Sequence, residues 1–195
     1  ETDALSRRDK RLGEAIARIG PIQRAVDDSL FESVVHQILG QQISTAALAT
    51  LWRRLTNAVQ TVDAEGLLAL GRNGVQAIGT TFKKADYVLA FAQAVQDGSL
   101  SLDELTRLPD EEVVRRLSAL NGVGVWTGEM ILIFGMQRPD VVSFGDLAIL
   151  RGMRMLYRHR SIDRARFERY RRRYSPYGPV ASLYMSVIAG GAIPE

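Results

Sequence analysis

The groups that could do chemistry in this sequence are carboxylates, lysines, hydroxyls and the backbone itself. The 195 residues contain no cysteine and only two histidines, His36 and His159. Disulfides, thiolate-bound zinc, iron–sulfur clusters, a cysteine nucleophile and a multi-histidine metal site are therefore excluded. The catalyst of any reaction must come from the remaining groups.

A tight glycine turn between two helical segments is the densest local signal. Pro109-Asp110-Glu111-Glu112 is typical of a helix start, because acids favour the positive end of the helix dipole. Residues 120–127 then read Leu-Asn-Gly-Val-Gly-Val-Trp-Thr, and an apolar helix is predicted over residues 130–135. Glycines let a backbone approach its partner closely, and the amides that open a helix bind phosphate. The turn predicts a nucleic-acid contact that reads no sequence, with a plain helix corner as the alternative.

The longer context resembles the helix–hairpin–helix DNA glycosylase superfamily, in its 3-methyladenine DNA glycosylase II branch. After the hairpin, Val141-Val142-Ser143-Phe144-Gly145-Asp146 places an aspartate at the family's distance. Residues 31–44, which read Phe-Glu-Ser-Val-Val-His-Gln-Ile-Leu-Gly-Gln-Gln-Ile-Ser, match its recurrent first helix. The resemblance covers residues 15–192. It implies a base excision repair enzyme that flips an alkylated base, such as 3-methyladenine, and hydrolyses its N-glycosidic bond.

The resemblance implies that Asp146 is the catalytic residue. Cleavage of an N-glycosidic bond places positive charge on the deoxyribose, and a fixed carboxylate can stabilise that charge and orient the attacking water. The position after Gly145 equally predicts an N-cap for the helix that starts at Leu147, and the two roles are compatible.

Trp126 occupies the position at which bifunctional relatives carry a lysine that forms a Schiff base, so the resemblance implies a monofunctional enzyme that uses water. It also places this ring against the base, where cation–π attraction favours an alkylated purine. A core tryptophan that braces the hairpin is the alternative. The other implied pocket residues are Tyr177, Phe144, Met130 and Leu147. Met130 and Leu147 stand where aromatics can occur in the family, which predicts a more adaptable pocket and a wider substrate range.

The DNA contacts are also implied by the resemblance. Gln42 matches the family's wedge, which fills the gap that a flipped nucleotide leaves in the duplex; a solvated glutamine at a helix end is the alternative. Phosphate binding is implied for the backbone amides of Gly122, Gly124 and Thr127.

The resemblance implies no required cofactor, but a monovalent cation often bridges the hairpin to a phosphate in this family. Its ligands, for Na⁺ or K⁺, would be the backbone carbonyls of Ser118, Leu120 and Val123. Asn121 replaces the family's usual proline, which loosens the turn, so the resemblance leaves open whether the ion is bound here.

The elements that position these groups are predicted to be helices nearly everywhere. Apolar residues recur at intervals of three and four, and turn signals such as residues 71–74 and 176–179 separate the helical stretches. The prediction is a single all-α unit over residues 1–195, with two helical lobes flanking a cleft. The resemblance places lobe A over about residues 45–145 and builds lobe B from about residues 1–44 and 146–195.

Positive charge is concentrated in one segment. The net charge is +3, yet residues 151–174 contain ten arginines and two acids, a local balance of +8. Such a block indicates one anionic contact surface, with a solvated helix face as the alternative. No apolar run reaches the roughly 20 residues that span a bilayer. We expect a cytoplasmic monomer, nucleoid-associated in a bacterium, that binds damaged double-stranded DNA and no membrane.

Three other functions stay open. A non-catalytic helix–hairpin–helix DNA-binding module would keep the hairpin without releasing a base. A bifunctional glycosylase for oxidised bases would need the lysine that Trp126 replaces. A structural helical protein would need neither the glycine turn nor the arginine block. Release of a methylated base separates these functions.

Overall fold

The computed structural model describes residues 1–23, 26–27 and 29–192, in which all regular secondary structure is helical. The prediction of an all-α fold is confirmed. The twelve helices of the described residues are α1 (Thr2–Arg8), α2 (Lys10–Ile19), α3 (Leu30–Gly40), α4 (Thr45–Ala58), α5 (Ala64–Ala77), α6 (Phe82–Gln96), α7 (Leu102–Arg107), α8 (Asp110–Leu117), α9 (Val125–Phe134), α10 (Leu147–Tyr157), α11 (Arg164–Tyr174) and α12 (Gly178–Ala189). None of these described helices is long and apolar enough to cross a membrane.

Most of the helices begin at a short polar side chain. Ser, Thr or Asp stands at the N-cap in eight of the twelve described helices, and its side-chain oxygen accepts a hydrogen bond from a backbone amide of the first turn. Helix α9 is an exception, because Gly124 precedes it and has no side chain to cap the first amides. Those amides depend on acceptors outside the helix.

The chain divides into two compact units, of which one is the segment Val26–Met136. Within it α3 contacts α4, α6 and α9, while α5 packs along α6 and α8 along α9. Helix α3 buries Val34, Val35, Ile38 and Leu39 completely, because residues three and four apart share one helix face. We call this segment the central unit.

The other unit combines Glu1–Ala25 with Gln137–Glu195, and we call it the terminal unit. Helix α10 packs against α12, and α2 contacts both of them. The contact is close at Gly152, where a Cβ would overlap the backbone of Met185. Leu5, Leu12, Phe167, Tyr174 and Met185 are among the residues of its core.

The unit boundaries differ from the lobe boundaries expected from the resemblance. Residues 26–44, expected in the lobe built from the termini, belong to the central unit, and residues 137–145 belong to the terminal unit. Residues 26–44 belong to the central unit because α3 packs its apolar face against α4, α6 and α9.

Candidate functional site

The hairpin lies in the central unit between α8 and α9, and we call residues 118–124 the hairpin turn. Gly122 adopts a φ of 85°, and a Cβ at this position would overlap the ring of Tyr87. Helix α9 begins at Val125 rather than at the predicted Met130. The prediction of that start was wrong because the polar and aromatic residues 126 and 127 conceal the helical period. The amides of Gly124 and of the first turn of α9 therefore form one continuous helix start.

Of the three predicted phosphate-binding residues, Gly124 and Thr127 are at this helix start, and Gly122 lies before it in the hairpin turn. Gly124 is the N-cap residue of α9 and has no atom within 4 Å of the place where a Cβ would lie. Thr127 stands in the first turn, but its side chain is buried, and its hydroxyl accepts a hydrogen bond from Gln41 Nε2 at 3.4 Å. Thr127 can thus offer a phosphate its amide, as predicted, rather than its hydroxyl.

Trp126 and Met130 lie on α9 in different environments. Trp126 is 41% exposed, so it is not a core tryptophan. An exposed ring at a helix start can offer its face to a cationic partner. Met130 is buried with the core residues Ile131, Leu132 and Ile133. Its flexible thioether side chain packs in the core below the surface of α9 and does not line an open pocket.

Gln42 lies in the turn between α3 and α4, residues 41–44, which we call the α3–α4 turn. Its side chain is exposed, and its backbone adopts a φ of 57°, a left-handed conformation that is unfavourable for residues other than glycine. The neighbouring Gln41 donates through Nε2 to the carbonyl of Gly122 at 2.7 Å. The predicted wedge residue and the hairpin turn are therefore neighbours within one unit.

The sequence analysis did not identify Lys84, which secures the α3–α4 turn. Its Nζ donates to the carbonyl of Leu39 at 2.7 Å and to that of Gln41 at 2.6 Å. Burial lowers the pKa of this ammonium group. Two adjacent lysines at a helix start could have drawn attention to the position, but nothing local shows which carbonyls Lys84 contacts.

The carbonyls predicted to hold a monovalent cation all belong to the hairpin turn. Leu120 O accepts a hydrogen bond from the amide of Val123 at 3.2 Å, which leaves one of its two lone pairs for another partner. Ser118 is the C-cap residue of α8, and among the described residues its buried Oγ has no hydrogen-bond partner. An unpartnered buried oxygen on this turn fits the approach of a cation.

Asp146, the predicted catalytic residue, is in the terminal unit and caps α10. Its Oδ1 accepts hydrogen bonds from the amides of Ala148 at 2.8 Å and Ile149 at 3.1 Å. The predicted N-cap is therefore confirmed, and Asp146 is partly exposed. The two amides fix the carboxylate in one orientation, as a charge-stabilising group requires.

The remaining pocket residues of the terminal unit differ in exposure. Leu147 is 81% exposed at the start of α10. Phe144 contacts Phe167 edge to face at 5.1 Å and packs against the unit's core. Tyr177 also packs on that core, at the N-cap position of α12, with the Arg8 guanidinium 6.0 Å from its ring centroid. Core packing thus holds both aromatic rings, while Leu147 is held by little besides its backbone.

A buried polar network in the terminal unit was not predicted. Asp9 is only 4% exposed; its Oδ2 accepts from Tyr157 Oη at 2.9 Å and from Arg173 Nη1 at 3.0 Å. Tyr157 and Tyr174 share a hydrogen bond of 2.9 Å, and burial raises the pKa of both tyrosines. The N-cap role of Asp9 in α2 can be recognised from the sequence. Its partners lie about 150 positions away in the chain, so no local sequence pattern predicts them.

Several arginines of the basic segment have acidic partners within the terminal unit. Arg164 pairs with Glu168 at 3.0 Å, and Arg166 pairs with Asp163 at 3.4 Å. Arg171 donates to the carbonyl of Asp140 at 2.9 Å. Arg173 pairs with the buried Asp9, so at least four of the ten arginines have structural contacts, and the net charge of the segment overstates the charge that it can offer to an anion.

Most of this chain, including the hairpin and Asp146, matches a known protein family. Residues 35–176 match the family described as HhH-GPD superfamily base excision DNA repair protein. The DNA-3-methyladenine glycosylase 1 of Schizosaccharomyces pombe is 29% identical over 153 residues, which are 76% of this chain and 67% of that protein. Four curated relatives are matched over 46% to 67% of their own length.

Two solved structures share the fold. The DNA-3-methyladenine glycosidase of Bacillus halodurans superposes with a TM-score of 0.82 at 29% identity, covering 97% of this chain and 88% of that one. The 3-methyladenine DNA glycosylase of Schizosaccharomyces pombe, solved in complex with abasic DNA, superposes with a TM-score of 0.84 at 23% identity, covering 100% and 98%. At that lower identity the likeness shows the fold alone.

Proposed function

Because the chain belongs to the HhH-GPD superfamily of base excision DNA repair proteins, we propose that it is a monofunctional DNA glycosylase for alkylated bases such as 3-methyladenine. It acts as a monomer on damaged double-stranded DNA. The observation that carries the proposal is the Asp146 carboxylate, partly exposed and held by two amides at the start of α10, at the position of the family's aspartate. Relatives named DNA-3-methyladenine glycosylase support the same substrate class.

Asp146 is assigned the stabilisation of charge during base loss. As the bond between the base and the sugar breaks, the base leaves with the bonding electrons and the deoxyribose becomes cationic. A carboxylate that is already oriented stabilises this cation without reorganising. Water then adds to the sugar carbon and loses its proton, with Asp146 orienting the water.

Water rather than lysine is assigned as the nucleophile. The chain has three lysines, and none stands at the position of Trp126. Lys84 has its ammonium group bound to two backbone carbonyls of the central unit, which does not suit attack on a sugar. We expect no covalent adduct when borohydride is added during turnover; a trapped adduct would show a lyase and contradict the monofunctional assignment.

Trp126 is assigned to the alkylated base, because the residue is 41% exposed and an aromatic ring attracts a cationic purine by about 0.5–2 kcal/mol. In the terminal unit, the exposed Leu147 and the core-held rings of Phe144 and Tyr177 are assigned to base recognition by the resemblance. Since Leu147 is exposed and stands where the family can carry an aromatic ring, base recognition should tolerate several alkylated purines. A panel of alkylated oligonucleotides tests this breadth, and activity confined to 3-methyladenine would contradict it.

The hairpin is assigned to phosphate. The uncapped start of α9 directs amide dipoles outward, and Gly124 leaves the approach open. A Na⁺ or K⁺ ion at the carbonyls of Ser118, Leu120 and Val123 would add a positive charge next to that phosphate. We expect DNA affinity to fall when potassium is replaced by tetramethylammonium at constant ionic strength; unchanged affinity would argue against the ion.

A non-catalytic DNA-binding module is the second candidate, because capping α10 is by itself a sufficient structural reason for Asp146. The test is chromatography of the bases released from methylated duplex DNA. The proposed enzyme releases 3-methyladenine and leaves the DNA strand intact until the abasic site is cleaved by alkali. The binding module retains affinity for the duplex and releases no base.

A further inference from the structure

A direct hydrogen bond joins the α3–α4 turn to the hairpin turn. Gln41 Nε2 donates to the carbonyl of Gly122 at 2.7 Å and reaches the hydroxyl of Thr127 at 3.4 Å. Both acceptors lie in the segment assigned to phosphate. Gln42, the assigned wedge, is the next residue in the chain. The side chain of Gln41 therefore connects the backbone beside the wedge to the hairpin turn.

Lys84, on α6, also contacts the α3–α4 turn. Helix α3 ends at Gly40, and its last carbonyls have no intrahelical donors and carry the negative end of the helix dipole. The Lys84 ammonium donates to the carbonyls of Leu39 and Gln41 there. Three residues along α6, Tyr87 lies against Gly122. Helix α6 therefore contacts both turns.

The backbone of Gln42 needs such support. Its φ of 57° is a left-handed conformation that residues other than glycine adopt only when the surroundings impose it. Gln41 and Lys84 hold the backbone just before it, and just after it the amide of Ile43 donates to the carbonyl of Gly40 at 3.4 Å. They hold Gln42 in one backbone conformation before any DNA arrives, which reduces the entropy lost when the side chain enters a duplex.

We propose that Gln41 and Lys84 are positioning residues that lock the wedge to the phosphate-binding hairpin, so that binding of a phosphate places Gln42 in register with the duplex. This inference rests on the proposed function, which assigns the wedge to Gln42 and the phosphate to the hairpin. Neither Gln41 nor Lys84 needs to touch the reacting atoms. Their loss should impair insertion more than it impairs DNA affinity.

The experiment measures insertion without requiring base release. The probe is a duplex with a tetrahydrofuran abasic-site analogue opposite 2-aminopurine, whose fluorescence reports contact with the orphaned base at saturating protein. Gln42→Ala defines the signal without a wedge. Lys84→Met and Gln41→Leu are the test variants. Lys83→Met is the matched control, because it removes the same charge from an exposed neighbouring position of α6.

We expect wild type and Lys83→Met to give the full fluorescence change. In both test variants the fluorescence change should fall about fivefold or more, while DNA affinity stays within about threefold. Lys84→Met loses the hydrogen bonds that Lys84 donates to the carbonyls of Leu39 and Gln41, and Gln41→Leu loses the one donated to the carbonyl of Gly122. Adding Gln42→Ala to either variant should cause no further loss, because coupled positions are not additive. Thermal denaturation shows whether each variant folds. If Lys84→Met does not fold, Gln41→Leu alone tests the inference, because it keeps the hydrogen bonds of the Lys84 ammonium group.

A full fluorescence change in the folded test variants overturns the inference, and so does an additive loss with Gln42→Ala. If wild type inserts Gln42 but releases no base, the proposed function is wrong and the inference stands. If wild type binds no duplex, both are wrong.

Discussion

At the scale of single residues, the two hairpin glycines are required for different reasons. Gly122 has a φ of 85° and lies against the ring of Tyr87, so a side chain there is excluded by both backbone and space. Gly124 has an ordinary φ of −94° and open space around it. Its small size matters to an approaching ligand rather than to the fold.

We predict that Gly122→Ala lowers the free energy of unfolding by about 1–3 kcal/mol, through backbone strain and overlap with Tyr87. Gly124→Ala should change it by no more than about 0.5 kcal/mol, yet weaken DNA binding because a methyl group stands where phosphate approaches the amides. Denaturant titration and DNA titration measure the two effects. Equal stabilities of the two variants would contradict this division.

At the scale of elements, Asp9 joins three helices of the terminal unit. It caps α2, accepts a hydrogen bond from Tyr157 at the end of α10, and pairs with Arg173 near the end of α11. A buried carboxylate needs such partners, because an unpaired buried charge is strongly destabilising. The network ties the N-terminal helices to the C-terminal ones within that unit.

The two buried tyrosines of this network predict loss of stability in alkali. Burial raises the pKa of Tyr157 and Tyr174 above the unfolded value of about 10. The folded chain therefore keeps both protons where the unfolded chain loses them. Their contribution is complete below about pH 10 and declines above it, by about 1.4 kcal/mol per pH unit for each tyrosine.

Tyr157→Phe should reduce that alkaline slope by about half, because one of the two tyrosines no longer titrates in the unfolded chain. Near pH 7 the variant should be less stable by about 1 kcal/mol, since Asp9 loses a hydrogen bond. Urea unfolding between pH 7 and pH 11 measures both quantities. The same alkaline slope in the variant and wild type would refute the assignment.

At the scale of the whole molecule, the arginine count overstates the charge available to DNA. At least four of the ten arginines between residues 151 and 174 already contact acids or carbonyls of the terminal unit. The proposed phosphate site at the hairpin uses amides, and their binding would release fewer counterions than a cluster of cationic side chains.

We therefore predict a shallow salt dependence of DNA binding. The slope of log affinity against log salt should be about −3 to −5, corresponding to roughly three to five neutralised phosphates. Titrations of duplex DNA at several potassium chloride concentrations measure it. A slope near −9 would mean that the whole arginine block contacts DNA.

Local patterns predicted much of the fold and of the candidate site. The apolar period of α3, the glycine turn, the N-cap at Asp146 and the break at Gly71, where α5 is kinked, all follow from neighbouring residues. The match of residues 35–176 confirms the predicted superfamily. The unit boundaries and the contacts of Asp9 and Lys84 could not be predicted, because they join residues distant in the chain.

The central claim is that Asp146 supplies a reactive carboxylate and not only a helix cap. Asparagine caps a helix about as well as aspartate, so Asp146→Asn should keep the stability within about 0.5 kcal/mol. Asp163→Asn is the matched control, because Asp163 caps α11 through a hydrogen bond of 2.8 Å from the Arg166 amide.

The most direct measurement is the single-turnover rate of 3-methyladenine release from methylated duplex DNA by wild type, Asp146→Asn and Asp163→Asn. We predict that Asp146→Asn slows release at least about 100-fold, while DNA affinity stays within about threefold and Asp163→Asn releases base at the wild-type rate. Release at the wild-type rate by Asp146→Asn would contradict the account.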